Sequence, residues 1–339
     1  MQRHTTSAVP SGAGLADVHL LLLPADADSA DVEALVLTRA PDAHDGAPGL
    51  RLGRHARLSG PIALDDATAA VAQVPPGWEF VYALAAPRER EDPPPVGVTD
   101  RDGYYRAFPA GLPTRGERRG LDLLLAVARR LGGALRVAGS GVVLEPDPAA
   151  VVDLVVHSPY WLEPDTTLAV ALAVDPAARL AIEGIDWSGP PSGLVDSPRD
   201  RAAADLRPDL RVALHASADR VDAETMATET VLDAYAIAID LGPGGRDGLV
   251  EVRVGVGEPP VPALSGLGWA GDAIRYEVRW SCPDPAQGEH DRPGPEHVAS
   301  REVAYRLVAR LAGTLVEAAD GVAVDGDGFI VDRYDLQLP

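Results

Sequence analysis

Residues 130–145 read RLGGALRVAGSGVVLE, and residues 310–325 read RLAGTLVEAADGVAVD. Seven of these sixteen positions coincide: Arg130/Arg310, Leu131/Leu311, Gly133/Gly313, Leu135/Leu315, Ala138/Ala318, Gly141/Gly321 and Val142/Val322. A chain this rich in Leu, Ala, Val, Gly and Arg yields roughly one or two coincidences at a fixed offset. The residues ahead of the match carry the same apolar stripe at helical spacing, Leu124, Val127, Ala128 and Leu131 against Ala304, Leu307, Val308 and Leu311. A glycine after each stripe suits a left-handed helix end. Gly139-Ser140-Gly141 and Asp320-Gly321 then supply the positive φ that a tight hairpin turn needs. Each copy turns again into a strand that carries one aspartate, Asp153 or Asp332. The pattern reads as a duplicated helix–hairpin–strand unit.

Outward from the first copy, Val18–Leu23 reads as a buried strand, and Asp28 or Ser29 caps a helix that runs to about Arg39. Leu50–Leu58 reads as a strand, Asp65–Ala72 as a short helix and Trp78–Ala85 as a strand. The helix of the repeat spans Gly116–Leu131, with Leu121, Leu124, Leu125, Ala128 and Leu131 on one side. Val151–His157 follows as a strand, Pro164–Ala173 as a helix and Arg179–Ile185 as a strand. Leu210–Ala216 (strand), Ala223–Leu232 (helix) and the strands Tyr235–Leu241, Leu249–Val256 and Ile274–Trp280 lead to the second copy.

Helices and strands mixed without strict βαβ alternation predict an α+β fold. Two related halves are expected, each a mostly antiparallel or mixed sheet with helices on one face. A ferredoxin-like split βαβ arrangement is the first choice for each. Residues 1–15 have no apolar period and read as a disordered tail. Residues 16–187 form the first domain, the Gly-, Pro-, Asp- and Arg-rich stretch 188–208 a linker, and 209–339 the second domain. Inside the first domain, residues 86–116 make a long excursion with the charge run Arg88–Asp92, the stop Pro93-Pro94-Pro95, and Tyr104-Tyr105.

The 339 residues carry 51 acidic and 30 basic side chains, a net charge of -21. All the basic residues are arginine, and Lys and Asn are absent. Such a charge repels phosphate backbones and anionic lipid, so nucleic acid and membranes are not expected partners. A single cysteine, Cys282, forbids an internal disulfide, and the apolar run Val18–Leu23 is too short for a secretory signal. A cytoplasmic location is expected.

No motif of strong chemistry is present. Without lysine there is no P-loop or Schiff-base lysine, and there is no G-x-S-x-G elbow. His290 and His297 flank an acidic, proline-rich loop at a spacing that suits no single-helix metal site. Asp325-Gly326-Asp327-Gly328 fails as a calcium loop, because Tyr334 stands where a bidentate Glu is needed. No catalytic residue, metal or cofactor is expected. The candidate ligand- or partner-binding residues are His157, Tyr160 and Trp161 at the end of a buried strand, Asp153 within it, and Tyr104 and Tyr105 in the excursion. The expected function is a non-catalytic binding or regulatory module acting through protein–protein contact, with a basic partner suited to the acidic surface, as in an immunity-type protein. The alternative is an enzyme of undetected class with a carboxylate/histidine site between the halves.

Overall fold

The computed structural model describes residues 12–46, 49–181, 234–256 and 261–336. It is α+β, with two antiparallel sheets and several helices. The expected linker at 188–208, strand at 210–216 and helix at 223–232 lie outside the described residues.

The first sheet has seven strands in the order β2-β3-β4-β5-β1-β6-β7. They are β1 (His19–Leu23), β2 (His44–Asp45), β3 (Leu50–Arg51), β4 (Arg57–Ala63), β5 (Phe80–Ala85), β6 (Ala134–Arg136) and β7 (Val143–Leu144), each antiparallel to its neighbours. Around it lie α1 (Gly12–Leu15), α2 (Ser29–Arg39), α3 (Asp66–Ala72), α4 (Tyr104–Ala107) and α5 (Arg115–Arg130). Helix α2 connects β1 to the β2–β4 side of the sheet, and α5 connects β5 to β6.

β1 is apolar at four consecutive positions and buried at all five, so both of its faces need cover. Leu21 and Leu23 meet α2 and α5 together with Tyr82, Leu84 and Leu135. Leu20 and Leu22 meet Leu15, Ala72 and Val74, from α1, α3 and the turn after it. Helices on one face alone were expected for this sheet, and α1 and α3 correct that. Of the expected tail, residues 12–15 are described; they form α1, and Leu15 is fully buried.

The second sheet has six strands in the order β13-β8-β12-β11-β10-β9, again antiparallel at every described pairing. They are β8 (Leu154–Ser158), β9 (Arg179–Leu180), β10 (Ala234–Leu241), β11 (Gly248–Val256), β12 (Ile274–Ser281) and β13 (Val322–Asp325). Helices α6 (Pro164–Val174) and α8 (Pro295–Ala318) cover one face; α7 (Pro285–Gly288) is a single turn between β12 and α8. β11 shows the alternation that a one-sided sheet requires: Val250, Val252 and Val254 point into the core, and Glu251 and Arg253 point away. Glu251–Arg253 at 2.7 Å and Glu277–Arg279 at 3.6 Å pair charges on the opposite face.

On sequence alone, residues 154–180 fall in the first domain. Hydrogen bonding puts their strands in the second sheet, so the change of sheet lies at 145–153, ahead of the 188–208 stretch. The sixteen-residue match also needs a shift. In that register Ala134–Arg136 is a strand, whereas residues 314–316 lie within α8. A similar helix end lies eight residues further on. Gly133 N–H donates to Ala128 O at 2.7 Å, and Gly321 N–H donates to Val316 O at 3.0 Å, after left-handed Gly132 (φ 63°) and Asp320 (φ 47°). Both helices therefore end in the same two-residue reversal. Each then enters a strand whose hairpin is closed by Val137 N–H to Val142 O at 2.8 Å or Asp325 N–H to Phe329 O at 2.9 Å.

The two sheets meet through that second hairpin. Phe329 is buried within the first core, beneath the guanidinium of Arg39. Buried Arg129 of α5 spans Asp102 and Asp327, at 2.5 Å to each.

Candidate functional site

The 86–116 excursion is ordered at its base. Thr114 N–H donates to Glu89 O at 3.0 Å, Glu91 N–H to Leu112 O at 2.9 Å and Leu112 N–H to Asp92 O at 3.3 Å, so the two legs are tied side by side. Beneath this ladder Glu117 is fully buried. Its carboxylate accepts from His19 Nε2 at 2.9 Å, from Glu89 N at 2.9 Å and from the Arg90 guanidinium. His19 Nδ1 in turn accepts from Ala138 N at 3.1 Å, which puts the ring proton on Nε2. Burial first, and then the arginines around it, hold His19 down at about 4. This cluster is a satisfied buried network that fastens the excursion to β1 and α5.

Tyr104 and Phe108 stack at 5.8 Å and are both buried. The Tyr104 hydroxyl donates to Asp122 at 2.9 Å, and Arg118 lies 4.1 Å over its ring. Asp100 accepts from the backbone N–H groups of Tyr104 and Tyr105 at 2.9 and 2.6 Å, which starts α4. Tyr104 is thus an anchor of the loop, while Tyr105 is half-buried beside its tip. The tip is residues 93–99, PPPVGVT. Val96 is fully exposed (102%) and Val98 is 51% exposed. Glu91 and Asp92, at the foot of the tip, are exposed and have no ion pair among the described residues.

Four other candidates lie along and beyond β8, and they do not converge. Asp153 precedes the strand; its carboxylate accepts from Trp280 N at 2.9 Å and lies 3.6 Å from Arg279. Tyr160 stands past the far end, ~16 Å away by strand length, and is 58% exposed. Trp161 packs edge-on against Tyr235 at 5.4 Å. His157 is buried opposite Arg275 and Val322, and burial together with Arg275 lowers it to about 4. Of the four, only Asp153 lines a cavity described here.

Comparison with known proteins gives no match, either to family models, to curated proteins or to solved structures. The chemistry of the chain therefore rests on its own side chains.

Asp153 shares its cavity, of about 400 Å³, with Cys282, His290, Asp291 and His297. In sequence these residues look scattered; the β12–α8 connection folds them together. Sequence offers one signal, the acidic, proline-rich segment 283–296, which is too long to be a plain turn. Burial raises the Cys282 thiol, burial and Arg301 lower His297, and the His297 ring leans on Trp280 at 5.3 Å. Among the described residues no cluster of three or more such groups is arranged to hold a metal ion.

Proposed function

We propose that the chain is a non-catalytic binding module that engages a protein partner through the tip of its 86–116 excursion. The observation that carries this is the exposure of Val96 and Val98 on a loop whose base is fixed by a backbone ladder and a buried His–Glu–Arg cluster. Proline locks φ, so the Pro93-Pro94-Pro95 run favours an extended polyproline conformation at little entropic cost to a binder. Such segments dock in aromatic-lined grooves. Exposed Glu91 and Asp92 and the net charge of -21 favour a groove with a basic rim. A single cysteine suits a reducing cytosol as the place of that encounter.

We propose further that the scaffold is two related copies of a ferredoxin-like split βαβ unit. Supporting this, β6-β1-β5-β4 and β13-β8-β12-β11 follow the same order, with α2 and α6 leaving the second-listed strand and α5 and α8 entering the first. Tyr82 faces Leu21, which faces Leu135; Tyr276 faces Val156, which faces Ala323. Both tyrosine hydroxyls donate to backbone near the start of the first helix of their unit, at Ser29 O and Tyr160 O.

The test replaces residues 94–98 with an equal length of Gly and Ser. A partner taken from the native host and then purified should bind the replaced chain at least tenfold more weakly than the native chain. Equal binding by both, or the lack of any partner whose binding needs the tip, refutes the proposal. The alternative, an enzyme with a carboxylate/histidine site, draws on the cavity that gathers Asp153, Asp291, His290 and His297.

A further inference from the structure

A second cavity, of about 580 Å³, opens on the first unit, where the β3–β4 turn overhangs the end of α2 and the start of α5. Arg39, Arg54, His55, Arg115 and Arg119 line it. Two acids share the lining, and both are engaged. Asp122 accepts from Arg118 Nε at 2.7 Å and from Tyr104. Glu89 accepts from Gly116 N at 3.2 Å. Of the cations, Arg39 donates to Asp327 O and lies over Phe329, and the others are less engaged. Arg115 lies 3.9 Å from Glu89, and Arg54, His55 and Arg119 have no hydrogen-bond or ion-pair partner among the described residues. In a chain of net charge -21, this is a concave site with an excess of positive charge.

The placement is unfavourable for the protein alone. The N-terminus of α5 already carries the positive end of the helix dipole, and Arg115 and Arg119 add like charge to it, while Glu117 in the same turn is engaged by His19 and Arg90. Arg115 and Arg119 are four apart, so they also repel each other on one helix face. Arg115 adopts φ 47°, in the left-handed region that a side chain disfavours. An anion in the cavity would relieve the repulsion between Arg115, Arg119 and the helix dipole together.

We infer that this cavity binds a small phosphorylated molecule, its phosphoryl group held by Arg54 and Arg119. Guanidinium forks match phosphoryl oxygens two at a time, which a lysine could not do and this chain has none to offer. Ala40, Leu52, Pro87 and Leu123 give the walls an apolar share, and the volume fits a small organic body beyond the phosphate. A long polyanion is disfavoured by the field of the remaining surface.

The test is calorimetric titration of the full chain with inorganic pyrophosphate at low ionic strength, with citrate as the carboxylate comparison. Saturable one-to-one binding is expected, weakened at least tenfold by Arg54→Ala and by Arg119→Ala. Both side chains are exposed, so their loss leaves the fold intact. Arg333→Ala, another exposed arginine outside the cavity, should bind as the native chain does, and so should the chain with residues 94–98 replaced. Absence of saturable binding, or undiminished binding by the double Arg54→Ala, Arg119→Ala variant, overturns the site. Citrate binding as tight as pyrophosphate overturns the phosphoryl assignment.

Discussion

Acid should weaken the second sheet through one residue, His157. It is 5% exposed on β8, between β13 and β12, and its ring is held neutral by burial first and by Arg275 across the strand second, with Glu277 opposing. Its basicity falls from 6.5 in the unfolded chain to about 4 in the fold. The folded state therefore binds this proton less readily than the unfolded state does. The stabilising contribution is complete above pH 6.5 and is lost as pH falls toward 4. The full difference corresponds to about 3 kcal/mol, of which about 2 kcal/mol is lost by pH 5. His157→Gln removes the titration and keeps a polar side chain of similar length. Urea unfolding at pH 7.5 and pH 5.0, followed by the fluorescence of Trp161 and Trp280 in the same core, reads the effect. The native chain should lose ~2 kcal/mol more than the variant between the two pH values, while His19, present in both, cancels. Equal losses would show that His157 is not held neutral, and the reasoning would fail.

Two further outcomes follow from buried and strained positions. Glu117→Ala leaves His19 and the Arg90 guanidinium without their shared acceptor; the loss should be ~3 kcal/mol by thermal or denaturant unfolding, and a loss under ~1 kcal/mol would mean water or backbone replaces the carboxylate. Asp320→Gly places glycine at a left-handed helix end, where the first unit already has Gly132; calorimetry should show a gain of ~1 kcal/mol, and a loss would mean the Asp320 side chain stabilises that reversal.

Much of the fold is legible because its signals are local. The five buried positions of β1, the stripe of α5 and the alternation of β11 each announce an element with no knowledge of the rest. The site is less legible because it is made by connections. Nothing in the order of residues says that Asp153 and Cys282 face one cavity, or that Arg54 in a hairpin turn overhangs Arg119 on a helix 65 residues later. The same limit explains the aromatic candidates. His157, Tyr160 and Trp161 are neighbours in sequence, but a strand sends successive side chains to opposite faces, and the chain leaves the sheet after Ser158.

The sixteen-residue match shows how identity and geometry can disagree. Seven matches tie residue 130 to residue 310, while the backbone ties residue 133 to residue 321. In a chain built chiefly from a few small and aliphatic residue types, an extra identity costs little, and a longer α8 can carry Leu311 and Gly313 inside the helix without penalty large enough to stop it. A helix end that must reverse into a strand is far more restrictive. It needs a residue tolerant of positive φ followed by one that lets the next amide reach back to the helix, and in both units that pair is the step into the sheet: Gly132-Gly133 and Asp320-Gly321. Of the seven matched positions only Gly133 and Gly321 take part in this step, and they do so in different pairings from those the identities suggest. Aligning the chain by where the backbone must turn left-handed, and only then by residue identity, sets these two helix ends in register.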